Sequence, residues 1–342
     1  MRTNWQPPDN WMKITTIDAH TAGEPFRVII DGFPRLQGET ILERRRYAKI
    51  HFDYLRTALM WEPRGHADMY GCIVTPPVSK DADIGILFIH NEGFSTMCGH
   101  GIIGITTVAL ETGMLPISEP QTIVKIDTPA GMVIAYAKVE GKRVSSVRFH
   151  NVPSFVLALD EEVDVPGLGL VRYDLAFGGA FYAYVNAEEI GLTVAPDSYH
   201  SLIEAGRAIK QAVAASQSIE HPFEKDLSFL YGTILIGSPS SADAHSRNVC
   251  IFAEGEADRS PTGTGVSGRL AIHQARGEIG LGESIIIESI IGSRFTGRVV
   301  ETATFGPHPS IIAEVEGSAW ITGRHEFLID PNDPLKDGFF LR

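Results

Sequence analysis

The 342-residue sequence is short of cysteine, of positive charge and of long apolar runs, and each shortage excludes something. Three cysteines, Cys72, Cys98 and Cys250, are too few and too scattered for a disulfide framework or a zinc knuckle. Lys and Arg number 29 against 42 Asp and Glu, giving a net charge of −13 and no long basic block, so nucleic acid and anionic membrane surfaces are poor partners. Apolar runs such as 84–89 and 285–291 are far below membrane-spanning length, and residues 1–13 lack a signal-peptide core. The expectation is a cytoplasmic protein with reduced thiols and no metal. An anionic ligand would have to be attracted locally, because the overall field repels it.

With 44% hydrophobic and 21% charged residues, the composition is that of a globular protein of about two domains. Strand-like runs dominate: 13–18, 26–30, 85–90, 122–126, 132–138, 144–149, 181–185, 249–252, 285–290 and 311–316. Helical periodicity predicts one long helix over 41–58 and another over 199–213, with Arg44, Arg45 and Arg46 on a solvated face. Two further helices, over 100–111 and 264–275, begin directly after glycine-rich turns.

Those turns are the most informative part of the chain. One reads Met97-Cys98-Gly99-His100-Gly101, the other Pro261-Thr262-Gly263-Thr264-Gly265, and Cys98 and Thr262 lie 164 residues apart. Upstream, Asp18–Gly23 matches Asp174–Gly179 in spacing at an offset of 156. Two landmarks at similar offsets predict an internal duplication. An acidic stretch followed by Pro166-Gly167-Leu168-Gly169 places the boundary near 160–169, giving domains over 1–162 and 163–329, with 330–342 packing back on the first. No low-complexity linker separates them, so a cleft is expected between closely packed halves.

A helix N-terminus offers unpaired backbone N–H groups and the positive end of its dipole. Two such ends facing one cleft would bind a carboxylate without Lys or Arg. In that setting the Cys98 thiol should ionise below its unperturbed pKa of about 8.5 and serve as a base. Cys72 and Cys250, in apolar strand-like runs, read as core. Other motifs are weaker. Gly263–Gly268 fits a bare GxGxxG pattern without a clear βαβ context. A Cys98/His100 nucleophile pair is disfavoured because residues two apart rarely meet. His66 and Asp68 read as a polar loop supporting the cleft.

The segments Asp18-Ala19-His20-Thr21-Ala22-Gly23-Glu24-Pro25, Glu62-Pro63-Arg64-Gly65-His66-Ala67-Asp68-Met69-Tyr70-Gly71, Met97–Gly101, Phe177-Gly178-Gly179 and Asp258-Arg259-Ser260-Pro261-Thr262-Gly263-Thr264-Gly265 resemble, in order along most of the chain, the proline racemase family. The resemblance implies an α+β fold of two pseudo-symmetric, diaminopimelate-epimerase-like domains. Each is a curved sheet or barrel around a central helix, with a cofactor-independent site in the cleft, and the protein is commonly a homodimer. It implies Cys98 and Thr262 as the catalytic pair. Gly99, His100, Gly263 and Thr264 would hold the carboxylate, and Asp258 with the His100 side chain would bind a ring nitrogen. Tyr70 and Phe252 would wall the ring, although aromatic residues in strands are more often core.

At one position the sequence departs from the racemase pattern. Family racemases and epimerases carry a second Cys where this chain has Thr262. A Thr hydroxyl does not ionise near neutral pH and cannot replace a thiol in two-base racemisation. The Cys/Thr pair resembles the branch that dehydrates trans-3-hydroxy-L-proline. The alternatives left open are a proline or hydroxyproline racemase or 2-epimerase, a non-catalytic binder of proline analogues and, more distantly, a cysteine hydrolase.

Overall fold

A computed structural model describes residues 5–341. Eight strands in its second half close into a barrel. In order around the barrel they are Ser154–Val165, Gly169–Phe177, Phe181–Asn186, Leu230–Gly237, Ser246–Phe252, Ser284–Ser289, Arg294–Phe305 and His308–Gly317. The last closes on the first through Ser310 opposite Phe155.

The first half repeats this order in a sheet of Ala319–Ile329, Met12–Thr21, Glu24–Asp31, Tyr70–Thr75, Ile84–His90, Gln121–Thr128, Gly131–Glu140 and Arg143–His150. Parallel and antiparallel pairings occur in the same succession in both halves. Gly23 and Gly179 occupy equivalent hairpin turns, between Met12–Thr21 and Glu24–Asp31 and between Gly169–Phe177 and Phe181–Asn186. The two sheets join where Arg143–His150 pairs with His308–Gly317.

Each half wraps one helix, Gly99–Glu111 in the first and Gly263–Ala275 in the second. Gly99 to Leu110 and Gly263 to Ile272 are buried without a break, as a helix surrounded by sheet requires. Their hydroxyls stay satisfied within the helix: Thr106 donates to the Ile102 carbonyl at 2.7 Å and Ser267 to that of Gly263 at 3.0 Å.

Several expectations need correction. Residues 41–58 form two helices, Ile41–His51 and Asp53–Met60, not one. The break is Phe52, which leaves helical geometry and sets its ring against Phe33 and Tyr47 at 5.9 and 5.7 Å. The boundary expected near 160–169 falls within a β-hairpin: the acidic residues 160–164 are the outer part of the strand Ser154–Val165, and Pro166-Gly167-Leu168 is the turn, with Val165 opposite Gly169. That strand pairs with the second half, while the late strand Ala319–Ile329 pairs with the first. Beyond it, the Phe339 N–H donates to the Glu62 carbonyl at 2.8 Å and Arg64 donates to the Lys336 carbonyl at 3.0 Å. Among the described residues no helix is long and apolar enough to cross a membrane.

Candidate active site

The two central helices meet at their N-termini, and the turns flagged in the sequence come together there. Cys98 is the N-cap of the first: its extended backbone lets Sγ accept the Gly101 N–H at 3.3 Å. Thr262 is the N-cap of the second, but with φ +63°, a sparsely populated conformation for a β-branched residue. Its hydroxyl does not cap the helix and donates instead to Asp258 Oδ2 at 2.9 Å. Asp258 is fixed in turn by the Ser260 N–H on Oδ1 at 2.7 Å.

Around these ends lies a cavity of about 20 Å³, room for little more than one water. It is lined by Tyr70, Cys98, Gly99, His100, Phe252, Asp258, Thr262, Gly263 and Thr264, which is every residue the sequence reading placed at a site. It is also lined by Met97, Tyr182, Tyr231 and Cys250, which that reading missed. Cys250 reads from its apolar strand as core and is buried there, but it also borders the cavity. Residues two apart on a strand share a face, so a Phe252 aimed at the cavity brings Cys250 with it. Tyr182 holds the Thr264 hydroxyl at 2.7 Å, and the Tyr231 hydroxyl is 3.4 Å from that of Tyr70, across the junction between halves.

Cys98 and His100 do meet, contrary to expectation. Sγ is 3.1 Å from Nδ1. Because Cys98 is the N-cap, not a helical residue, its side chain folds back over the first turn that carries His100. The same nitrogen also lies near Asp258, with Nδ1 3.8 Å from Oδ2. Burial pushes the His100 pKa down, which favours a neutral ring, although Asp258 opposes this.

The Cys98 thiol is a second correction. Burial and then the Asp258 carboxylate raise its pKa well above the ordinary thiol value, outweighing the Gly101 N–H. The helix end alone does not produce a thiolate. Cys72 is buried in the first sheet, and burial alone pushes its thiol pKa up. All three cysteines are unpaired.

The loop 62–71 supports the site from outside. His66 is exposed, but Asp68 is buried and reaches across the halves, pairing with Arg259 at 2.6 Å and accepting from the Tyr199 hydroxyl at 2.7 Å. Arg259 donates its backbone N–H to Glu24 at 2.7 Å, so the first motif of the chain abuts the last. Among the described residues no group of three or more His, Cys, Asp or Glu has metal-site geometry.

A family model described as proline racemase matches residues 16–340. The chain belongs to the proline racemase family. It is 49% identical over 341 residues to a trans-3-hydroxy-L-proline dehydratase of Colwellia psychrerythraea, covering 99% of this chain and 96% of that one. It is 45% identical over 329 residues to a 3-hydroxyproline 2-epimerase of Burkholderia multivorans, covering 96% and 98%. The solved structure of a hydroxyproline epimerase from Agrobacterium vitis with bound trans-4-hydroxy-L-proline superposes with a TM-score of 0.93 at 32% identity, covering 98% of this chain and 96% of that one. Within this proline racemase fold, the face opposite Cys98 carries a hydroxyl already engaged by a carboxylate.

Proposed function

We propose that this protein is a trans-3-hydroxy-L-proline dehydratase, a hydro-lyase that needs no cofactor. The observation that carries the proposal is the asymmetry of the two helix ends. Cys98 has an imidazole 3.1 Å away to take its proton, whereas Thr262 donates its hydroxyl to Asp258. One face is equipped with a base and the other is not.

The carboxylate of the substrate sits on the N–H groups of Gly99, His100, Gly263 and Thr264, which as first-turn groups have no helical partners. Its ring ammonium sits on Asp258 beside His100. That positive charge offsets the Asp258 contribution to the raised Cys98 pKa, so ligand binding itself promotes the thiolate, with neutral His100 accepting the proton. Cys98 then removes the Cα proton. In trans-3-hydroxy-L-proline the Cα hydrogen and the C3 hydroxyl both lie opposite the carboxylate, hence on one ring face. The proton taken by sulfur is delivered to the departing hydroxyl and leaves as water. The resulting enamine tautomerises to Δ1-pyrroline-2-carboxylate. Tyr70 and Phe252 wall the ring, and the closed cavity requires the halves to part for entry.

The two repeats act as two domains tied by their strand exchange. The three unpaired thiols suit a reducing, cytoplasmic setting. Family resemblance supports a homodimer, which sedimentation would check.

A second reading is a 2-epimerase. It is favoured by the Cys250 thiol, which lines the cavity together with Thr262. Proton NMR in D2O with trans-3-hydroxy-L-proline, and L-proline in parallel, separates the two. Loss of the C3–H signal with formation of pyrroline-2-carboxylate, and no racemisation of proline, supports the dehydratase. Deuterium at Cα with the hydroxyl retained overturns it in favour of the epimerase. No exchange at all leaves a binding protein.

A further inference from the structure

The chain carries a net charge of −13, yet a second cavity of about 590 Å³ in the cleft is lined by Arg45, Arg46, Lys49 and Lys210 against only Glu92 and Asp226. It adjoins the catalytic cavity. Tyr231 lines both, and His90, on the wall of the outer one, stacks on Tyr70 of the inner one at 5.6 Å. Tyr231 in turn stacks on Phe252 at 5.3 Å. Four rings therefore separate the two spaces.

Of the four cations only Arg46 has a carboxylate within 4.0 Å among the described residues, and Lys49 is exposed to solvent. Arg46 is paired with Asp226 at 2.7 Å. Arg45 and Lys210, one from each half, have no carboxylate within 4.0 Å among the described residues. Arg45 gives one N–H to the Phe94 carbonyl at 2.7 Å, while its Nε is buried with no partner. Lys210 donates to the Ala253 carbonyl at 2.6 Å. Burial pushes both pKa values down, as for cations that have lost water without gaining an anion.

We propose that this outer cavity is a carboxylate-docking site, where the carboxylate of the amino-acid substrate lies between Arg45 and Lys210 before the aromatic wall opens. The ring ammonium of the zwitterion then faces Glu92 on the same wall. Outside the helix ends that hold the carboxylate in the inner cavity, the site adds a local attraction to a chain whose overall charge is acidic. It rests on the reading of the substrate as a cyclic amino acid.

The test compares wild type with R45Q, K210Q and D226N in the trans-3-hydroxy-L-proline dehydration assay. At low salt, R45Q and K210Q each lower kcat/KM by about fivefold to tenfold with kcat within about twofold. In about 0.5 M NaCl, which screens the cations and supplies a competing anion, the differences shrink to within about twofold. D226N, which removes a lining carboxylate, raises low-salt kcat/KM, an effect no folding defect produces. Losses equal at both salt concentrations, or confined to kcat, overturn the proposal, as does unchanged kcat/KM. A wild type that gives no product sinks the dehydratase reading instead. Acetate titration then decides the site by itself, through a saturable shift of the Arg45 Nε–H resonance that K210Q weakens. No shift overturns the docking site.

Discussion

Gly99 and Gly263 lie back to back at the junction of the two central helices. A Cβ on Gly99 would fall 2.5 Å from Cα of Gly263, and one on Gly263 would fall 2.8 Å from Cα of Gly99. Backbone cannot yield at such distances as a flexible side chain can. The spacing of the two helix ends, and with it the distance across the reacting ring, is set by two missing side chains.

Gly99→Ala should therefore separate Cys98 from the opposite face and lower kcat/KM by about 100-fold, the usual scale for a displacement near 1 Å. The measurement is steady-state kinetics with a thermal melt alongside. A variant that melts near the wild-type temperature and still turns over normally would show that the spacing is not critical.

Cys98→Ala removes the base and should abolish turnover, while calorimetry still detects binding of substrate. Retained turnover would take Cys98 out of the mechanism and direct attention to Cys250.

Thr262→Cys restores a second thiol on the opposite face. The expected outcome is new Cα–H exchange with solvent deuterium for L-proline, with both enantiomers formed. Exchange indistinguishable from wild type would contradict the assignment of the two faces.

Burial and Asp258 both raise the Cys98 thiol, so the free enzyme is protonated there through neutral pH. The rate kcat/KM should rise with pH and level off only above the ordinary thiol range. Asp258→Asn removes a negative charge that favours the neutral thiol, so it lowers that pKa. The rising limb should move to lower pH even as overall activity falls with the loss of the ring-nitrogen contact. A limb that stays in place would mean that another group titrates.

Much of the site was legible because it is local in sequence. Cys98 and Thr262 each stand at a turn whose glycines and following helix are written within a few residues. What was not legible depends on distant pairing. That Tyr231 lies beside Tyr70, or Cys250 beside Thr262, follows only once the strands Leu230–Gly237 and Ser246–Phe252 are placed in the barrel. The pKa of Cys98 was misjudged for the same reason. The helix end is local, whereas Asp258 arrives from 160 residues away. The strand Ser154–Val165 was hidden by its own exposure, since Asp160, Glu161, Glu162 and Asp164 face solvent and break the apolar alternation.

Glu288 gives a stability prediction. Burial raises its pKa, but hydrogen bonds from Ser241, Ser240 and Arg247 more than reverse this and hold it at about 2, against an ordinary value of 4.5. A depressed carboxyl stabilises the fold above the unfolded pKa, and the contribution disappears as pH falls from 4.5 towards 2. Glu288→Gln should cost about 2–4 kcal/mol at pH 7, read by denaturant melts, and much less near pH 2. An equal cost at both would point to lost packing, not charge.

The exchange of outer strands also bears on how the chain is made. Met12–Thr21 pairs on one side with Glu24–Asp31, its immediate neighbour, and on the other with Ala319–Ile329. On the ribosome the first partner arrives at once, whereas the second emerges only after every strand of the second-half barrel. Until then the sheet around the Cys98 helix keeps an open edge, ready to pair with another chain. The half of the protein translated first is thus the half completed last.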